Sequence, residues 1–86
     1  MAGRPKKREI YACHHGDYAG QMFAFINKEE QSYNFLRMPD MKNISVPCKD
    51  FYNGVQKEIL QLIETVPGDV YKVIQAQYKK NENTDN

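Results

Sequence analysis

Residues 21–38 read QMFAFINKEEQSYNFLRM and contain the clearest strand pattern in the chain. Its two halves are rich in aromatic and aliphatic residues and are separated by a polar turn at residues 27–30, which is typical of two connected strands. In the second half, Tyr33 and Phe35 share one face while Ser32 and Asn34 share the other, as alternation along a strand requires. The stretch therefore predicts strands over residues 21–26 and 32–38.

Upstream of this stretch, residues 10–15 read IYACHH, which favours a strand, and they are followed by the turn signal Gly16-Asp17. Successive strands are joined by short connections, whereas parallel crossovers need a dozen or more residues. The pattern therefore predicts a three-stranded antiparallel meander. Residues 44–46, just before Pro47, could add a short fourth strand.

Downstream of Pro47 the apolar residues change to helical spacing. The residues that form this stripe are Phe51, Val55, Ile59, Leu62, Ile63 and Val66. Since Pro47 and Pro67 bracket the stripe, we predict one long helix over residues 49–66.

Residues 69–80 suit either a helix or a strand. Val70, Val73 and Ile74 follow the i, i+3, i+4 spacing, and Asp69 suits an N-cap, which favours a helix. The composition Val-Tyr-Lys-Val-Ile would also suit a strand.

The predicted fold class is α+β: the three-stranded antiparallel meander, with a short fourth strand, packs one face against the long helix, and a second helix lies at the C-terminus. Residues 1–8 are predicted to be a flexible basic arm, residues 9–79 a single domain, and residues 80–86 a disordered tail. At 86 residues the chain has room for one small core, so we expect any site on a surface, an edge or an interface.

The strands carry many aromatic residues, and we expect rings on both faces of the sheet. A face left open by the helices would be a place for a partner or for a second copy of the chain. The candidate interface residues are Tyr11, Phe23, Phe25 and Tyr33. We therefore expect a homo-oligomer, in the simplest case a dimer.

The sequence also indicates a cellular location. No apolar run approaches the ~20 residues that span a bilayer, and the basic N-terminal stretch is not followed by the apolar segment of a secretory signal. We expect no membrane contact and a cytoplasmic location, in which Cys13 and Cys48 are reduced thiols.

Charge is distributed unevenly along the chain. Residues 1–9 carry four basic side chains against one acidic one, a balance of +3, while the rest carry eight basic and ten acidic side chains, a balance of −2. Positive charge concentrated at one end indicates a segment that contacts something anionic.

The basic segment also carries a motif. Gly3-Arg4-Pro5, followed by Lys6, Lys7 and Arg8, resembles the core of an AT-hook, a short peptide that binds the minor groove of DNA. The resemblance covers about six residues and implies an extended backbone in a narrow A·T-rich groove, with the flanking cations on phosphates. Ala2 stands where the first arginine of that core would be.

Residues 13–17 read CHHGD and are the one cluster with chemistry-bearing side chains. On a strand Cys13 and His15 point to one face and His14 to the other. Structural zinc sites show closely paired ligands, and catalytic cysteine–histidine pairs need an oxyanion site and an orienting partner. Because neither is evident, we predict no catalytic residue, metal or cofactor.

The sequence therefore predicts a small non-enzymatic regulatory protein that contacts nucleic acid, DNA rather than RNA, through Arg4, Lys6, Lys7 and Arg8. The alternative is a protein-binding module, such as an inhibitor or adaptor, that uses an exposed sheet face or a strand edge. Loss of the cations would abolish the first activity and leave the second intact.

Overall fold

A computed structural model describes residues 4–84 of the chain. Five strands and two α-helices make an α+β fold, which confirms the predicted class. In chain order the elements are β1 (Glu9–Cys13), a 3₁₀ turn (Gly16–Tyr18), β2 (Met22–Glu29), β3 (Ser32–Met38), β4 (Lys42–Pro47), α1 (Cys48–Gln56), β5 (Leu60–Thr65) and α2 (Gly68–Thr84).

The sheet has the order β4-β3-β2-β1-β5 and every neighbouring pair is antiparallel. The first four strands form a meander because each connection is too short for a crossover. The predicted meander is therefore confirmed, and it gains a full fourth strand rather than the short one predicted. β5 is the strand that the sequence pattern missed, and it pairs with β1 at the opposite edge from β4.

Two bulges interrupt the pairing of the strands. In β5, Glu64 lies opposite Ile10 and Leu62 opposite Tyr11, so Ile63 is an extra residue without a partner. A similar shift in β2 leaves Ile26 between the two paired residues Phe25 and Asn27. Bulges of this kind bend the strand and increase its twist.

The predicted helix over residues 49–66 is wrong beyond Gln56. The chain leaves α1 through a Schellman motif, in which Ile59 N–H donates to Gly54 O (2.8 Å) and Glu58 N–H to Val55 O (3.1 Å). Glu58 occupies the left-handed position of this motif, with φ of 60°. Glycine normally signals that position, so a glutamate there hides the end of the helix from sequence analysis.

Helix α2 confirms the helical interpretation of residues 69–80. It begins at Gly68 and continues to Thr84, past the boundary at residue 80 where a disordered tail is predicted. Tyr71 and Tyr78, seven residues apart, are both buried against the sheet. The last part of that tail, residues 85–86, lies outside the described residues.

The helices cover opposite faces of the sheet, not the single face that was predicted. The α1 face carries an aromatic cluster that includes Tyr11, Phe23, Phe35 and Phe51. The α2 face is aliphatic on the strands, and its aromatic rings come from the helix. The expectation of rings on both faces of the strands is therefore wrong, because the aromatic residues of β1, β2 and β3 share one parity.

Neither of these helices is long and apolar enough to cross a membrane within residues 4–84.

Candidate functional site

The four predicted nucleic-acid-binding residues lie together at the start of the described chain. Arg4, Lys6, Lys7 and Arg8 are exposed, whereas Pro5 between them is buried. The main chain closes a turn here: Glu9 N–H donates to Lys6 O (3.1 Å), and Lys6 N–H donates to the Glu9 side chain at Oε1 (2.8 Å). We call residues 4–8 the basic turn.

The basic turn is attached to the sheet. Val66 N–H, just beyond β5, donates to Arg8 O (2.8 Å). The hydroxyl of Tyr11 donates to the same Glu9 Oε1 that accepts from the turn (2.9 Å). Burial of Tyr11 and this bond to an acidic acceptor raise its pKa above its usual value. The hydrogen-bonded turn therefore spans residues 6–9, and Pro5 just before it is buried, while Ala2 and Gly3 of the hook-like segment lie outside the described residues.

The cations of the basic turn are not neutralised by neighbouring carboxylates. Within residues 4–84 a single ion pair is formed, between Arg37 and Asp40 at 2.6 Å, on a different part of the surface. Arg4 nevertheless acts electrostatically on Tyr33: burial is the largest cause of the raised pKa of Tyr33, and the positive charge of Arg4 opposes that rise. Most of the charge on the turn is therefore available to an external anion.

A depression of about 780 Å³ adjoins the basic turn and continues toward α1. Arg4, Lys6, His14 and His15 contribute its positive or ionisable side chains, and Glu58 is one of its acidic ones. The mixed signs argue against a deep anion pocket. An anion would meet the exposed turn rather than enter the depression.

The cysteine–histidine cluster does not converge on a common point. Cys13 is buried and its thiol donates to His15 O (3.1 Å), while Nε2 of His14 lies 3.0 Å from Oε1 of Gln61 on β5. Cys13 and Cys48 are both free thiols. In the part of the chain that the structure describes, no group of three potential ligands is placed to hold a metal ion.

The four candidate interface residues are part of the hydrophobic core. Tyr11, Phe23, Phe25 and Tyr33 are each only 6–7% exposed. Phe51 of α1 covers this region: its ring centroid lies 5.1 Å from that of Tyr11 and 5.3 Å from that of Tyr33, edge to face in both cases. These rings would become an interface only if α1 were displaced.

A groove on the α1 face is the site that sequence reasoning missed. It has a volume of about 480 Å³ and opens to solvent. Rings of Phe23 and Phe35 line it from the sheet, Ile44 and Val46 from β4, and Asn53 from α1. The groove exists because α1 ends at Gln56 and leaves part of the sheet uncovered.

Charged and aromatic side chains surround the mouth of this groove. Lys57 lies at the end of α1 and Asp50 near its start. On the other side, the guanidinium of Arg37 lies 5.6 Å from the centre of the half-exposed Tyr18 ring. Arg37 is held in place by its pairing with Asp40. The hydrogen bond from Arg37 lowers the pKa of the Asp40 carboxyl group.

Comparison of the chain with known protein families, with curated proteins and with solved structures finds no match.

Proposed function

We propose that this protein is a non-enzymatic regulatory protein that contacts nucleic acid, duplex DNA in preference to RNA, through the basic turn. The observation that supports the proposal is the state of Arg4, Lys6, Lys7 and Arg8. All four are exposed, none forms an ion pair within residues 4–84, and main-chain hydrogen bonds hold their segment against β1 and β5.

Phosphate contact is the chemistry that suits such a turn. Lysine and arginine release condensed counterions when they neutralise phosphates, which gives affinity without base recognition. Four contacts correspond to a slope of about −3.6 for log affinity against log salt on duplex DNA, at about −0.9 for each phosphate. Because the turn is already ordered, less conformational entropy is lost on binding than for a free arm.

The rest of the molecule adds no net attraction for an anion. Outside residues 1–9 the chain carries two more acidic than basic side chains. Binding by the turn alone is therefore weak and strongly dependent on salt. A dimer would present two turns to one duplex and raise the avidity.

The experiment is a salt titration of binding to a fluorescent 20-base-pair duplex, followed by anisotropy. The turn variant carries Gln at positions 4, 6, 7 and 8; it is preferred to truncation because truncation would remove buried Pro5 and the Arg8 carbonyl that accepts from Val66. The matched control carries Gln in place of exposed lysines elsewhere. These are Lys42, Lys49, Lys72 and Lys79.

Both variants change the net charge from +1 to −3, so a general charge effect would weaken them equally. We expect the turn variant to lose binding and the control to retain the slope of the native chain. Equal losses in the two variants, or no binding by the native chain at low salt, would overturn the proposal. A single-stranded RNA probe and duplexes rich in A·T or G·C show whether the contact is selective.

A further inference from the structure

Strand β4 forms one edge of the sheet and, unlike the β5 edge, has no bulge. Its register with β3 is unbroken over all six pairs, from Lys42 opposite Arg37 to Pro47 opposite Ser32. On its outer side no main-chain hydrogen bond is formed within the described residues 4–84. By contrast, the bulge at Ile63 interrupts the β5 edge, a feature that hinders the addition of a further strand.

The outward hydrogen-bonding groups of β4 can be assigned from its register. Cys48 N–H, just past the strand, donates inward to Gln31 O at 2.8 Å. Because inward and outward groups alternate in an antiparallel ladder, Asn43 and Ser45 direct their N–H and C=O outward. Pro47 also points outward, where its missing N–H breaks no bond of the sheet, as expected for proline on an edge.

The groove on the α1 face lies directly beside this edge. Ile44 and Val46 point into it, so residues of an added strand that lie opposite them would extend over the same face. The intervening positions face the other way. There Ser45 Oγ donates to Oδ1 of buried Asn34 at 2.6 Å, which makes that side polar. An added strand would therefore need apolar residues at alternate positions and polar residues between them.

The charges at the edge indicate the sign of the partner. Lys42 begins β4, Lys49 follows it, and Lys57 stands at the mouth of the groove, all of them exposed. The acidic side chains near them are Asp50 and Asp40, and Asp40 is already paired with Arg37. A second copy of the chain, paired antiparallel about Ser45, would bring Lys42 of one chain beside Lys49 of the other. Like charges placed this way oppose self-pairing and favour an acidic partner.

We propose that the β4 edge and the adjoining groove bind an extended peptide segment of another protein as a sixth strand. The segment has apolar residues at alternate positions and acidic residues at its ends. Main-chain bonds to Asn43 and Ser45 provide affinity, and the groove selects the apolar side chains. The surface shares no residue with the basic turn, so this inference goes beyond nucleic-acid contact and does not depend on it.

The test uses a synthetic peptide, acetyl-Glu-Glu-Val-Thr-Phe-Thr-Val-Glu-Glu-amide, added to the ¹⁵N-labelled full chain and followed by NMR. When apolar residues of the peptide lie opposite Ile44 and Val46, its two threonines lie opposite Asn43 and Ser45, whose N–H and C=O groups point outward. N-methylation of both threonines then removes the bonds to β4, whereas N-methylation of Phe and one Val removes amide groups that point away from it. The two methylated peptides are a matched pair, and the protein is unchanged.

We expect saturable shifts at the amides of Asn43 and Ser45, with about tenfold or greater weakening by threonine methylation and little weakening by the control methylation. Asn53→Trp fills the groove from an exposed position and should abolish the shifts, while Gln75→Trp on the exposed face of α2 should not. Equal binding of the two methylated peptides would overturn strand addition. No shifts at about 1 mM peptide, where even a weak complex forms, would overturn the site.

Discussion

Glu58 is the residue whose replacement tests the account of how α1 ends. Its φ of 60° is in the left-handed region, which costs a residue with a Cβ roughly 1–2 kcal/mol. Glycine adopts this conformation without that cost but loses more backbone entropy on folding, by roughly 0.5–1 kcal/mol. We therefore expect Glu58→Gly to increase the free energy of unfolding by about 0.5–1 kcal/mol.

The assay is equilibrium urea unfolding followed by circular dichroism, with Lys57→Gly as the matched control. Lys57 is the preceding residue, is equally exposed, and has a φ of −92° that any residue adopts. Glycine there brings only the entropic cost, so we expect it to lower the free energy of unfolding by about 0.5–1 kcal/mol. The two variants should shift the urea midpoint in opposite directions without changing the m-value.

The opposite signs make the test decisive. If both glycine variants lower the midpoint by similar amounts, residues 57 and 58 have the same conformation. That would mean a helix continuing through them, as the apolar stripe predicts, and the description of β5 would be refuted.

Substitutions at three further positions test the packing, each by urea unfolding. Gly54→Val should destabilise by about 1–3 kcal/mol, because even the first added carbon would lie 2.9 Å from Cδ1 of Leu60; Gly54→Ala, with one carbon, should cost less. Tyr71→Phe should cost about 1–2 kcal/mol, since its buried hydroxyl donates to Phe25 O at 2.7 Å. Burial also raises the pKa of Tyr71, so the stability that its hydroxyl contributes is complete below pH 10 and falls as the pH rises further. The Tyr71→Phe variant should therefore lose less stability in alkali than the native chain does. Asn34→Ala should cost about 1–3 kcal/mol, because its amide bonds to side chains of both β2 and β4; an unchanged midpoint would show that the network contributes nothing.

Strand β3 was predictable from the alternation of its residues, although both of its faces are buried in the structure. Tyr33 and Phe35 alternate with polar residues, and β3 has the predicted bounds. β5 was not predictable in this way, because Leu62 and Ile63 are adjacent apolar residues, both 45% exposed, and Ile63 is the bulge residue. Together with Ile59 and Val66 they follow a spacing of three, one and three residues, which is typical of one face of a helix.

The candidate sites were likewise predictable only in the features that depend on local sequence. The charge of the basic turn is visible in composition, so its cations were named from the sequence. Its attachment was not, because the bond from Val66 to Arg8 joins residues far apart in the chain. The groove also escaped prediction, since it depends on α1 being short and on β4 lying at the edge.

The pairing of β5 with β1 has a consequence for the order in which the molecule folds. Strands β1 to β4 meet neighbours that are close in sequence, whereas β5 must find β1 across 47 to 56 positions, from Cys13 to Leu60 and from Glu9 to Thr65. Closing so long a loop costs entropy before any contact repays it. We expect the meander to form first and β5 to join late, so that truncating Leu62 to alanine speeds unfolding and leaves the refolding rate nearly unchanged in stopped-flow measurements. Since β5 also carries the chain from the α1 face to the α2 face, its late arrival would delay the docking of the C-terminal helix as well.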